Sequence, residues 1–97
     1  MKTVILNDIK YELTQNYKDG YDESLVKEKC TDYFINYDYI FGDWSYGKLR
    51  LKGFCERKNN NYKNINDIHL LDMYIKNYCS YDCKYFLLKK IPEDENK

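Results

Sequence analysis

The 97-residue chain carries 16 basic and 16 acidic side chains, no formal net charge, 43% hydrophobic residues, one proline and four glycines. That balance excludes a histone-like polycation, a disordered acidic chain and a collagenous or low-complexity one. No apolar run approaches the roughly 20 residues of a membrane helix, and Thr3-Val4-Ile5-Leu6 is too short for a secretory leader, so a cytoplasmic protein is expected. Residues 1–91 read as a single small domain, and 92–97, with Pro92 and Glu93-Asp94-Glu95, as a solvated acidic tail. Alanine is absent while Lys, Tyr and Asn abound, the signature of AT-rich codons. The 12 tyrosines still matter physically, because a buried phenol needs a polar partner and an exposed one is adhesive.

In chain order, Thr3–Leu6, the pair Asn7-Asp8 and Ile9–Leu13 read as a β-hairpin whose turn residues tolerate positive φ. Lys18-Asp19-Gly20 is turn chemistry. Asp22 is placed to cap a helix from Glu23 to about Asn36, with Leu25, Val26, Cys30, Tyr33, Phe34 and Tyr37 as its buried stripe. Tyr37 to Phe41 is β-prone, and Gly42 to Gly47 reads as a turn. Lys48 to Phe54 is the cleanest strand, with Leu49, Leu51 and Gly53 on one face and Lys48, Arg50, Lys52 and Phe54 on the other. Residues 56–66 form an Asn-rich, mobile loop. Asn66 or Asp67 then caps a second helix with Ile68, Leu71, Tyr74, Ile75 and Tyr78 as its stripe. Ser80 to Cys83 breaks that helix, and Lys84 to Ile91 returns as a strand.

The order β-β-α-β-β-α-β predicts an α+β fold: a mainly antiparallel sheet of about five strands with two helices packed on it, and its other face open.

Chemistry is thinly supplied. Of the four cysteines only Cys79 and Cys83 are closely spaced, whereas structural zinc sites bring two such pairs. Isolated Cys30 and Cys55 are expected as buried thiols, leaving a redox role open for Cys79 and Cys83 alone. No serine sits in a nucleophile elbow, and Gly42, Gly47 and Gly53 form no phosphate-binding motif. His69 falls off the apolar stripe, and Asp38 and Asp43 are expected as solvated turn acids. No catalytic residue, metal or cofactor is assigned, and no enzymatic activity is expected.

Charge is unevenly distributed. Residues 1–47 carry a net charge of −4, and residues 48–90 a net charge of +6. Cations alternating with an aromatic suit phosphate contact with base stacking, so Lys48, Arg50, Lys52, Phe54, Arg57 and Lys58 form a candidate surface for RNA or a ribonucleoprotein. The same cations on a solvated strand would guard a sheet edge. The alternative is a protein-protein adaptor that exposes Trp44 and Tyr46 at the Gly-Asp-Trp turn, since aromatics dominate interface hot spots.

The stretch Tyr37-Asp38-Tyr39-Ile40-Phe41-Gly42-Asp43-Trp44-Ser45-Tyr46-Gly47-Lys48-Leu49-Arg50-Leu51-Lys52-Gly53-Phe54 resembles the YutD family of low-GC Gram-positive bacteria. Tyr11-Glu12-Leu13, Tyr17-Lys18-Asp19-Gly20, Tyr78-Cys79, Cys83, Tyr85-Phe86 and Leu88-Lys89 extend the likeness over roughly residues 9–90. The chain departs at Ser45, where the family has glycine, and in carrying Cys30 and Cys55. The resemblance implies a cytoplasmic α+β domain and no particular activity.

Overall fold

The computed structural model describes residues 2–78 and 83–91. Cys79, most of the helix break expected from Ser80 to Cys83, and the acidic tail expected over 92–97 lie outside them. Five strands, β1 (Lys2–Leu6), β2 (Ile9–Tyr17), β3 (Tyr39–Ser45), β4 (Lys48–Phe54) and β5 (Tyr85–Lys90), make one sheet in the order β1-β2-β5-β3-β4. Every pairing is antiparallel. Helices α1 (Glu23–Lys29) and α2 (Leu71–Tyr78) complete the α+β fold.

The first hairpin forms as its sequence requires. Asn7 and Asp8 both take positive φ, 53° and 65°, which matches the right-handed twist of the flanking strands. Asp22 caps α1, its carboxylate accepting from the Leu25 N–H at 3.2 Å.

The helix then stops at Lys29, well short of Asn36. Cys30 turns to extended backbone, and Asn7 Nδ2 donates to its carbonyl at 3.1 Å, satisfying a group that a longer helix would have used. Thr31 starts a separate 3₁₀ turn, Asp32–Asn36, by accepting from the Tyr33 N–H. A threonine hydroxyl that competes for nearby backbone groups favours such a restart over continuation. Val26, Cys30 and Phe34 stay buried as expected, while Tyr33 is exposed.

The second hairpin is longer than its sequence suggests. Gly42 to Ser45 continue β3, and the turn is only Tyr46-Gly47, both at positive φ. Gly42 is needed for space rather than for a turn. It faces Phe86 across the β3–β5 pairing, and the Phe86 ring occupies the place of a Gly42 side chain.

The sheet is covered on both faces, correcting the expectation of one open face. On one side Tyr11, Leu13, Ile40, Phe86 and Leu88 pack with Val26 and Cys30 from α1 and Phe34. On the other, Phe41, Phe54 and Leu87 pack with Leu71. Tyr74 and Ile75 of α2 lie against this second cluster, and the Tyr74 ring meets Phe41 and Phe54 edge-on at 5.7 and 5.6 Å. Phe86-Leu87-Leu88 is buried without alternation because β5 is central and sees both layers.

Gly42→Ala should lower stability by about 1–3 kcal/mol, because the added methyl displaces a ring in a packed core. Urea unfolding of the variant measures it, and an unchanged midpoint would show that Phe86 can move aside freely.

Candidate functional site

The side chains of the basic strand do not act together. Lys48, Arg50, Lys52 and Phe54 share the face of β4 on the α2 side, as their alternation requires, but each has a different fate. Lys48 is exposed. Arg50 lies opposite Asp43 in the hairpin and holds it with two hydrogen bonds, one from Nε at 3.1 Å. Asp43 is 2% exposed, so this carboxylate is a buried partner and not a solvated turn acid. Lys52 is half-buried, its ammonium 5.3 Å from the Phe54 ring centre and 5.6 Å from that of Tyr74. Phe54 is 1% exposed and belongs to the core, so it offers no ring face for a base. Arg57 lies 3.5 Å from Asp67, and Lys58 lines a separate polar cavity of about 350 Å³ with Glu12, Asp38, Glu56 and Lys89.

The aromatic turn divides likewise. Trp44 is half-buried against the α1-side core, donates from Nε1 to the Gly20 carbonyl at 2.7 Å, and has the Lys84 ammonium 4.8 Å above its ring. Tyr46 is fully exposed at the hairpin tip with φ of 53°. A bulky residue in that conformation costs about 1–2 kcal/mol relative to glycine.

The Asn-rich loop is tied down rather than mobile. Asp38 accepts from the Glu56 N–H at 2.9 Å and from Asn59 Nδ2 at 3.1 Å. Asn66, buried, accepts from the Lys63 N–H at 2.8 Å and donates to the Asn61 carbonyl at 3.1 Å. Asp67 is the hub. It accepts from the His69 N–H at 2.9 Å and from the Tyr62 hydroxyl at 3.0 Å, with His69 Nδ1 3.0 Å away. Those contacts, the His69 N–H foremost, lower its pKa to about 2. Residues 66–68 then run beside the end of β4: Cys55 N–H donates to the Asn66 carbonyl at 2.8 Å, and Ile68 N–H donates to the Cys55 carbonyl at 3.1 Å. That is a single parallel bridge, Cys55 to Asp67.

This anchored segment presents apolar side chains to solvent. Ile65 is 76% exposed, Met73 59% and Leu70 44%. Together with Lys52, Phe54 and Tyr74 they line a groove of about 390 Å³ between β4 and α2. This surface is hidden in the sequence because Leu70 and Met73 fall off the α2 stripe and Ile65 lies in a polar loop. Their cue was three large apolar residues that neither the stripe nor a strand accounts for.

The remaining chemistry is dispersed. Cys30 and Cys55 are buried free thiols, and burial raises both pKa values, which disfavours the reactive thiolate. Cys83 is half-buried, but its close partner in sequence lies outside the described residues. Asp38 and Asp43 serve different hydrogen-bond sets. No helix among the described residues is long and apolar enough to cross a membrane.

Because the folded state holds Asp67 below the ordinary carboxylate value of 3.8, its stabilisation is complete above that pH and is lost as the pH falls toward 2. Asp67→Asn should therefore weaken the pH dependence of unfolding in that window. An unfolding midpoint that depends on pH identically in both proteins between pH 4 and 2 would count against Asp67 as the hub.

The family model described as "Putative antitoxin YutD-like" matches residues 5–89. "Putative antitoxin YutD" of Bacillus subtilis (strain 168) is 43% identical over 88 residues, covering 91% of this chain and 97% of that protein. The solution NMR structure of protein yutD from B. subtilis superimposes with a TM-score of 0.77 at 42% identity, covering 94% of this chain and 83% of that one. The block from Tyr37 to Phe54 that carries the sequence resemblance is the β3–β4 hairpin with its approach, and this chain belongs to the YutD-like family.

Proposed function

We propose that this chain is a non-enzymatic module that binds another protein through the groove between β4 and α2. The observation that carries the reading is the joint exposure of Ile65, Leu70 and Met73 around that groove. Three large apolar side chains at one place are what a partner's buried anchor residues require. The antitoxin in the name of the B. subtilis relative supports a partner to be restrained. Single-stranded RNA is less well served. Its stacking residue, Phe54, is in the core, Arg50 is engaged by Asp43, and the chain has no net positive charge.

A second surface has its own observation: Tyr46, fully exposed and held at positive φ on the hairpin tip. Three tagged proteins separate the readings in lysate with and without nuclease: wild type, the double variant Leu70→Ser with Met73→Asp, and Tyr46→Asn. Both changes to the double variant fall on exposed side chains, so its fold should persist, and Tyr46→Asn should raise stability by about 0.5–1 kcal/mol by suiting the turn. We expect the wild type and Tyr46→Asn to retain a common protein partner and the double variant to lose it. Loss with Tyr46→Asn alone would move the site to the hairpin tip. Disappearance of all partners with nuclease would return it to the cationic strand and RNA.

A further inference from the structure

The two edges of the sheet are not equivalent. At β4 the outward side is shut, since Leu49 is 4% exposed and the Tyr37 ring packs against Gly53. At β1 it is open. Leu6 and Ile9 flank the two-residue turn and form the closing hydrogen-bonded pair of the first hairpin. Alternation then turns the backbone groups of Lys2, Val4 and Leu6 toward β2, and those of Thr3 and Ile5 away from it. Lys10, opposite Ile5, confirms this parity, because its carbonyl points away from β1 and accepts from the Ile91 N–H at 2.9 Å. Both outward residues are exposed, Ile5 to 55%. Among the described residues, no group hydrogen-bonds to the outward N–H and C=O of Thr3 and Ile5.

The strand Lys2-Thr3-Val4-Ile5-Leu6 is complementary to itself. In an antiparallel pair, outward groups meet outward groups only where odd-numbered residues face odd-numbered ones. One such register uses the whole strand. It is centred on Val4 and sets Thr3 opposite Ile5 of the second copy, Val4 opposite Val4, and Lys2 opposite Leu6. Each of the two Thr3–Ile5 pairs then exchanges both of its ladder hydrogen bonds across a two-fold axis. No charge meets its own kind, whereas the register centred on Lys2 would set lysine against lysine. On one face the buried row of Val4 and Leu6 continues across the seam through Val4 of the copy. On the other, Ile5 lies beside Thr3, and Lys10 and Glu12 of β2 form a polar rim.

We propose that this chain forms a symmetric dimer by pairing β1 with β1 of a second copy, in the register centred on Val4. The two sheets join into one, and because β1 and β4 end the strand order, the β4–α2 grooves stand uncovered at its two far ends. The seam is short, so the dimer parts on dilution. The proposal does not depend on what the groove binds.

The test uses the whole chain. Sedimentation over a dilution series should show the mass rising from one chain to two. With ¹⁵N labelling, the Thr3 and Ile5 amides should gain protection from hydrogen exchange as concentration rises, while those of β4 do not change. In a mixture of ¹³C-labelled and unlabelled chains, an intermolecular NOE should join the Val4 Hα protons, which a non-hydrogen-bonded pair brings close. Ile5→Pro removes an outward N–H and leaves the β1–β2 ladder whole, so it should dimerise about tenfold more weakly or worse. Ile5→Glu keeps that N–H and faces Lys10 within its own chain, but lies diagonal to its own copy across the seam, and should also weaken the dimer. A chain that stays monomeric at every concentration would overturn the proposal. So would a dimer whose Thr3 and Ile5 amides exchange as in the monomer, or an Ile5→Glu variant that associates as wild type. Protection that appears only on adding a different protein would overturn it too, giving the edge to a partner's strand. The groove variant Leu70→Ser with Met73→Asp should dimerise as wild type, so the two readings fail separately.

Discussion

The structure depends on β5, the last strand in the chain, lying between β2 and β3. Everything before it is two hairpins and two short helices that bury too little to stand alone. Isolated hairpins are marginal in water, and α1 and α2 are far below the length at which helices persist by themselves. β5 joins the hairpins with two antiparallel ladders and contributes Phe86 and Leu88 to one core and Leu87 to the other. A sheet assembled this way is non-local, since Lys90 must find both Tyr11 and, through its N–H, the Asp38 carbonyl. Such a topology closes late and slowly compared with a helical bundle of the same length.

Central placement of β5 also decides where the edges fall. β1 and β4 are left outside, the first with Lys2 and the second with Lys48 and Lys52, the usual guard against uncontrolled pairing. The end of the β4 edge is already closed by residues 66–68, held by the Asp67 and Asn66 hydrogen bonds. The polar loop therefore does two jobs at once: it stops the ladder at Cys55 and lifts Ile65 beside the groove.

Much of this was legible in particular residues. Asn7-Asp8 marks its turn, Asp22 its cap, and the alternation from Lys48 to Phe54 gives β4 with the bounds observed. The helix after Asp22 was over-read because Val26, Cys30 and Phe34 keep helical spacing even though the backbone is broken between them. The contrary cue was Thr31, a capping hydroxyl in mid-stripe. Gly42 suggests a turn by its conformational freedom, but it answers a steric need set by Phe86, forty-four residues later. The candidate site was legible only in part. The charges of Lys48, Arg50 and Lys52 were visible, but Asp43 and the α2 ring of Tyr74 determine which of them faces outward unencumbered.

Local chemistry by itself determined the fold class, the first hairpin, the Asp22 cap, the bounds of β4 and the family, since each rests on neighbours within a few residues or on a contiguous block. Only the tertiary structure decided that both faces of the sheet are covered, that Phe54 is core and Trp44 half-buried, and that an apolar groove lies between β4 and α2. The reason is physical: burial and the fate of a backbone hydrogen bond depend on what arrives from elsewhere in the chain. Here the arrivals are β5 and α2, separated from β4 by the whole of the Asn-rich loop.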